Sequence, residues 1–323
     1  MMRAVVFVPH AGGAVPEVRE IPKPAPAAGE ALVRVRAAGL NRGEITVRRA
    51  LTTGAPQPTG IEFAGEIAAL GADAARFKPG DRVMGHWRAG QAEYVAADER
   101  LLVPVPARLS WVEAGAWLNV FCTAHDAIVT NAGLKKGESI LVNAASSGIG
   151  VAALQIARLL GARPVIASSR SPAKLEKLRA YGMTAGIVAG EGDAKAIAEA
   201  TGGKGVDVLI DSVGGSVLQK NLETMAVKGR MVSVGRLASN VGDIDLDLLA
   251  LRRVRLIGVT FRTRSKEERI ECVQRCAADL LDALADGRLQ PVVQRSFRLE
   301  DIAAAHECME RDEHVGKLVI EIG

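Results

Sequence analysis

The chain has 323 residues, enough for two domains or one large one. Its 41 basic and 37 acidic residues leave a net charge of +4, and aromatic residues make up only 3%, a composition that speaks against a nucleic-acid surface. Hydrophobic residues reach 48%, yet no run of about 18 uncharged apolar residues occurs, so no membrane-spanning helix is expected.

The opening Met1–His10 has too short an apolar run for a signal peptide. Residues 1–110 read as β structure. Short apolar segments recur at Ala4–Val8, Ala31–Ala38, Phe63–Leu70, Arg82–Met84, Ala92–Ala97 and Leu101–Val103, punctuated by Pro22-Lys23-Pro24, Pro79-Gly80-Asp81 and Pro104–Pro106. Many short strands with such turns predict a barrel-like domain. From Trp111 towards Thr130 the pattern is helical. Residues from about 120 to 265 then alternate strand and helix.

The most informative stretch is Ser139–Arg170. Ser139–Val142 suits a buried parallel strand. Asn143–Gly150 is small and glycine-bearing, and Gly148–Leu160 carries apolar residues at helical spacing, with Gly161 as its stop. Pro164–Ala167 reads as a second strand. A strand, a turn without bulk and a helix N-terminus together suit a pyrophosphate, because the first N–H groups of a helix lack intrahelical acceptors. The positions of a G-x-G-x-x-G fingerprint read Ala145, Ser147 and Gly150, so Ser146, Ser147, Gly148 and Ile149 are the expected phosphate contacts. An NAD site usually has Asp or Glu about 20 residues past the glycines, to hold the ribose 2′-OH. Here Ser168, Ser169 and Arg170 stand at the strand end, and Ser171-Pro172 opens a helix with Lys174 in its first turn. Ser169, Arg170 and Lys174 therefore predict a 2′-phosphate, hence NADP(H); the alternative for Lys174 is a solvated surface lysine.

Further strands are expected at Val206–Ile210, Arg230–Val234 and Arg255–Val259, with a helix between Gly214-Gly215 and Lys228-Gly229. Glu267–Ala285 reads as a long amphipathic helix. Val292–Phe297 and Lys317–Ile320 read as closing strands, with a helix from Glu300 between them. Cys122, Cys272, Cys276 and Cys308 form no disulfide framework, which fits a reducing cytoplasm. Cys272 and Cys276, one helical turn apart, read as two buried core thiols. His86 either lines a cleft or is solvated, and His125 reads as structural.

The order of these pieces resembles the medium-chain dehydrogenase/reductase superfamily, and within it the zinc-independent quinone oxidoreductase branch. The resemblance spans nearly the whole chain. It rests on Gly60-Ile61-Glu62-Phe63-Ala64-Gly65, Phe77–Val83, Ala92-Glu93-Tyr94-Val95, Cys122-Thr123-Ala124, Ala145–Gly150, Asp211-Ser212-Val213-Gly214-Gly215 and Gly316-Lys317. It implies an α/β protein with a GroES-like β-barrel catalytic domain, residues 1–119 and 266–323, and a doubly wound Rossmann cofactor domain, residues 120–265. The active site would lie in the cleft between them. By the same resemblance, the three positions that zinc-dependent members fill with catalytic ligands are Asn41, Ile61 and Asn119. Ile61 cannot ligate and neutral amides ligate zinc poorly, so no zinc is expected.

Without a Lewis acid, the acceptor must already be activated by conjugation, as in quinones and α,β-unsaturated carbonyl compounds. Asn41 is the expected residue near nicotinamide and the substrate oxygen; a turn-forming asparagine is the alternative. Glu44 stands where the family usually has Asp, a poor general acid unless its pKa is raised. Arg48 and Thr123 match the family's basic and threonine positions. Thr46 and Thr52 replace two tyrosines that shape the quinone pocket in many members, which leaves room for another acceptor. The resemblance adds Ser212, Val213, Val234, Gly235, Phe261, Arg262 and Lys317 near the cofactor; for Lys317 the alternative is a strand-end surface lysine. The expectation is an NADPH-dependent reductase of a small-molecule quinone or enone. It is cytoplasmic and homodimeric through the Arg255–Arg262 edge, with no membrane or nucleic-acid partner. The alternatives are an enoyl thioester reductase, and a non-catalytic NADP(H)-binding protein with a crystallin-like or RNA-binding role.

Overall fold

The computed structural model describes residues 1–190 and 192–323. The chain divides into two units, Met1–Val120 with Ser265–Gly323, and Phe121–Arg264.

The second unit is built on a sheet of six strands in the spatial order Ala185–Val188, Val165–Ser169, Ile140–Val142, Val206–Asp211, Met225–Ser233, Arg255–Gly258. Numbered along the chain this is 3-2-1-4-5-6, and every neighbouring pair is parallel. That is the order of a doubly wound dinucleotide-binding sheet, whose ligands bind beyond the carboxyl ends of the strands where the order reverses. Ile140–Val142 and Val165–Ser169 are buried along their whole length, as central parallel strands covered on both faces must be. Helix Gly148–Leu159 returns the chain between them, capped by Ser147, whose hydroxyl accepts from Gly150 N at 3.1 Å. Leu141, Ile166, Ile187, Leu209, Leu222 and Met231 share the apolar core. One strand differs from expectation. It runs Met225–Ser233 rather than starting after Lys228-Gly229. Lys228 is left-handed at φ +65, and the ladder slips between Val206 and Val208, so the glycine marks an irregularity within the strand, not its start.

The first unit carries a seven-stranded sheet in the order Val293–Arg298, Lys317–Glu321, Glu30–Leu40, Phe63–Leu70, Arg82–Gly85, Leu102–Pro104, with Tyr94–Asp98 paired to Glu30–Leu40. A smaller sheet joins Val15–Ile21, Met2–Val8 and Gln57–Pro58. The last strand of the chain pairs antiparallel with the end of Glu30–Leu40, setting Leu318 against Leu40. That register places Lys317 beside Asn41. Trp111–Gly115 opens with a capping box of Ser110 and Glu113, and Leu118–His125 passes into wider turns at Asp126–Asn131.

Candidate active site

A buried polar cluster sits in the first unit, where the strand ending at Leu40 turns into helix Arg42–Ala50. Asn41 occupies the N-cap of that helix, but its side chain does not cap it. Instead Asn41 Nδ2 donates to Gly39 O (3.2 Å), to Glu62 Oε1 (3.0 Å) and weakly to Glu44 Oε1 (3.4 Å). Asn41 Oδ1 accepts from Asn119 Nδ2 (2.8 Å) and from the Lys317 ammonium (2.7 Å). Lys317 also donates to Leu40 O at 2.7 Å and to Glu62 Oε1 at 2.6 Å. Its three N–H bonds are thereby committed to protein oxygens. The second oxygen of Glu62 accepts from Asn119 N at 2.9 Å. Lys317 and Glu62 are 4% and 1% exposed, so this ion pair is fully desolvated. Gly39 makes the room: a Cβ there would lie 2.2 Å from Glu62 Oε1.

Glu44 and His86 flank this core. Burial pushes the Glu44 carboxyl up to about 7, against the opposing pull of Lys317 and of hydrogen bonds from Asn41 and Gln91. Gln91 Nε2 donates to Glu44 Oε2 at 2.8 Å. His86 Nε2 bonds Asn119 Oδ1 at 3.0 Å, and burial holds its pKa below the ordinary histidine value. His86 is 1% exposed, which corrects the solvated alternative. With Glu44 protonated below about pH 7, Lys317 and Glu62 form the ion pair at the centre of the cluster.

In the second unit the expected cofactor residues gather at the carboxyl ends of the strands. Ser146–Ile149 are half-buried and remain reachable, while Ala144 adopts φ +50 and Gly150 passes so close to Ala145 that a Cβ would meet its Cα at 2.6 Å. Ser169 is buried, and its hydroxyl accepts from Ser171 N at 3.3 Å. Arg170 is exposed and Lys174 half-buried, one on each side of the Ser171 cap of helix Pro172–Leu178. The Asp211 carboxylate accepts from Val213 N and Gly214 N, both at 3.0 Å, and its carbonyl from Val234 N (2.8 Å) and Gly235 N (3.1 Å). It thus ties the Ser212–Val213 loop to Val234–Gly235. Beyond these ends a cleft of about 620 Å3 is lined by Arg236, Asn240, Thr260 and Arg262, among others. Phe261 lies under the Arg264 guanidinium, 4.9 Å from ring centre.

Other expected residues lie elsewhere. Arg48 is bonded to Glu310 at 2.8 Å rather than to the cluster. Thr46 and Thr52 are exposed. Thr123, half-buried, is on helix Leu118–His125, and His125 is buried. Lys317 is buried, not a surface lysine. Cys276 is buried but Cys272 only half so, because it lies off the buried stripe of helix Lys266–Ala285. Glu62, Gln91 and Asp211 were not singled out as site residues. Glu62 and Asp211 stand only as members of the Gly60–Gly65 and Asp211–Gly215 motifs, and Gln91 stands in no motif.

Two family models match the chain, a GroES-like domain of alcohol dehydrogenases over residues 27–130 and a zinc-binding dehydrogenase domain over residues 148–278. Human quinone oxidoreductase is 31% identical over 335 residues, covering 95% of this chain and 93% of that protein. The chain belongs to the medium-chain dehydrogenase/reductase superfamily. It is quinone oxidoreductase-like, with a GroES-like domain and a parallel Rossmann sheet. A spectinabilin polyketide synthase system protein of Streptomyces orinoci is 32% identical over 97% of this chain, which spans only 14% of that protein's length. Among solved structures, an NAD-dependent alcohol dehydrogenase superposes with a TM-score of 0.90 at 30% identity, each chain fully covered. The CurK enoyl reductase reaches 0.87 at 26% identity, covering 100% of this chain and 99% of its own. A mycobacterial protein solved with NADPH reaches 0.90 at 26%, covering 99% of this chain and 100% of its own.

A catalytic zinc ion does not fit the residues at the superfamily's three ligand positions. Ile61 offers no donor atom, and the Asn41 oxygen already accepts from the Lys317 ammonium and the Asn119 amide. Among the described residues no group of three or more His, Cys, Asp or Glu is placed to hold a metal. The dinucleotide does fit the second unit, where the sheet order, the reachable Ser146–Ile149 turn and the helix N-terminus behind it coincide.

Proposed function

We propose that this protein is an NADPH-dependent reductase that works without a metal ion on a quinone or another α,β-unsaturated carbonyl compound. The observation that carries the reading is Glu44, a buried carboxyl raised to about 7 beside a closed ammonium–carboxylate pair. When bound, the cofactor supplies hydride. Reduction at the conjugated carbon drives an electron pair onto the carbonyl oxygen, and the resulting anion needs one proton. Glu44 holds that proton near neutrality, gives it up as general acid and regains one from water. Asn41 and Gln91 hold the Glu44 carboxyl in place. Ser146–Ile149 receive the pyrophosphate, and Ser169, Arg170 and Lys174 receive the 2′-phosphate, since no acid stands at that strand end to repel it. Ser212, Val213, Val234, Gly235, Phe261 and Arg262 line the remainder of the cofactor path, with Thr123 beside nicotinamide. The reading includes a cytoplasmic homodimer; all four cysteines are free, and among the described residues no helix is long and apolar enough to cross a membrane.

The test is oxidation of NADPH and NADH by 9,10-phenanthrenequinone and by a 2-alkenal in EDTA-treated buffer. NADPH-selective turnover that survives EDTA is expected; turnover that needs added zinc, or prefers NADH, sinks the reading. A second reading, an enoyl thioester reductase, is favoured by the cleft at Arg236 and Arg262, whose guanidinium groups have no ion-pair partner among the described residues. Faster turnover of crotonyl-CoA than of free enones decides for it.

A further inference from the structure

The Lys317 ammonium is the least expected feature of the first unit. A buried lysine loses several kcal/mol of hydration unless its charge and all its donors are met. Here they are met on three sides: by a backbone carbonyl at Leu40, by the amide oxygen of Asn41, and by the carboxylate of Glu62. Two of the acceptors are neighbours in the chain, Leu40 and Asn41, the third is Glu62, and the lysine itself arrives on the last strand, 255 residues from Glu62. The cluster then continues outward in two directions. One runs from Asn41 to Glu44 and Gln91, the other from Asn119 to His86.

We infer that Lys317 is the fixed internal cation of this site: seated on Leu40 O, Asn41 and Glu62, it orients the Asn41 and Asn119 amides and so positions Glu44 for proton transfer. An amide can be flipped, with oxygen and nitrogen exchanged, at little steric cost. The Lys317 ammonium and Asn119 Nδ2 both donate to Asn41 Oδ1, which turns Asn41 Nδ2 towards Glu62 and Glu44, and the ammonium is the charged donor of the two. The same ammonium engages the Asn41 oxygen while His86 engages that of Asn119, which adds to the missing donor at Ile61 in making the family's ligand positions a poor fit for a metal. Lys317 is thus a positioning residue. It acts through Asn41 and makes no contact with cofactor phosphate, since its three donors are committed.

This inference rests on the reductase reading for its role in turnover, but not for its geometry. Lys317→Met alone strands the buried Glu62 carboxylate and destabilises the fold, so the decisive variant is Lys317→Met with Glu62→Gln, which removes both charges. Three readouts apply to it: the side-chain amide resonances of Asn41 in selectively labelled protein, the NADPH dissociation constant by fluorescence titration, and steady-state kinetics. The expected result is a displaced Asn41 resonance, an NADPH affinity within about twofold of wild type, and kcat lowered about tenfold or more at little-changed KM. An unmoved Asn41 resonance overturns the positioning role whatever the kinetics. An NADPH affinity that falls in step with activity overturns it too, and returns Lys317 to the cofactor. Wild-type kcat in the double variant makes the pair structural only. Absence of turnover by the wild type across the acceptor panel counts against the reductase reading, while resonance and affinity still decide the place of Lys317.

Discussion

At the scale of the residue, Glu44 sets the expected pH dependence. Its carboxyl is held protonated up to about 7 chiefly by burial, so the acid form is the majority species on the acid side of neutrality and the minority above it. A reaction that draws its proton from Glu44 therefore slows as pH rises through about 7. Glu44→Gln keeps the shape and a hydrogen bond to Gln91 but has no proton to give; kcat should fall about a hundredfold and the limb near pH 7 should vanish. Measuring kcat between pH 5.5 and 9 for both proteins checks this, and a variant that keeps the limb assigns it to another group. The sequence showed Asn41 and Glu44 because they are close in the chain and match a family segment. It did not show what surrounds them. The partners Gln91, Glu62 and Lys317 reach them across 47, 21 and 276 residues, and no local spacing encodes such contacts. The best available clue was Gly39, whose missing side chain is the space that Glu62 fills. Arg48 illustrates the converse, a residue that matched the family position while its guanidinium went to Glu310.

At the scale of the element, buried strands were the most legible because both faces are apolar, as in Ile140–Val142 and Val206–Asp211. Val15–Ile21 escaped because only one of its residues is buried and its charges, Glu17, Arg19 and Glu20, mask any alternation. Ala185–Val188 escaped likewise, as a short outer strand with one buried residue. At the other end of the same sheet, Arg255–Gly258 pairs only with Met225–Ser233 among the described strands. It is shorter than the expected Arg255–Arg262 edge, because the chain leaves the strand after Gly258. It exposes Leu256 at 47%, beside a helix, Leu246–Arg252, that exposes Leu246 and Leu251 at 69% and 70%. An unpaired strand edge with apolar side chains invites a second copy. Light scattering should then give about twice the 34.0 kDa of one chain, and Leu256→Asp should return the mass towards 34.0 kDa. A wild type that scatters as a single chain at micromolar concentration removes the homodimer.

At the scale of the whole molecule, buried titratable groups pull stability in opposite directions. Glu44 ionises near 4.5 when unfolded but keeps its proton to about 7 when folded, so the native state binds more protons between those values. Its contribution to stability falls as pH rises from 4.5 to 7, by about 3 kcal/mol over the full window. His306 does the reverse. Burial, helped by Arg48 and opposed by Glu310, lowers it to about 4, and neither ring nitrogen has a hydrogen-bond partner among the described residues. Phe7 packs edge-on against it at 5.7 Å. The unfolded chain protonates this histidine below about 6.5 while the folded one does not, so its contribution falls as pH drops from 6.5 to 4, again by about 3 kcal/mol. His86 sides with His306 and Asp211 with Glu44, both through burial. Asp98, Glu93, Glu138 and Glu310 are held below the usual carboxylate range and add their losses only at more acid pH. Between about 4.5 and 6.5 the Glu44 and His306 slopes oppose each other, and single variants separate them. Relative to wild type, Glu44→Gln should gain about 3 kcal/mol of unfolding free energy as pH rises from 4.5 to 7. His306→Leu should show its greatest advantage near pH 4 and lose about 3 kcal/mol of it by pH 6.5. Denaturant titrations across that range give both differences directly. Curves that stay parallel to the wild type would mean that Glu44 and His306 titrate in the folded protein as they do in the unfolded chain.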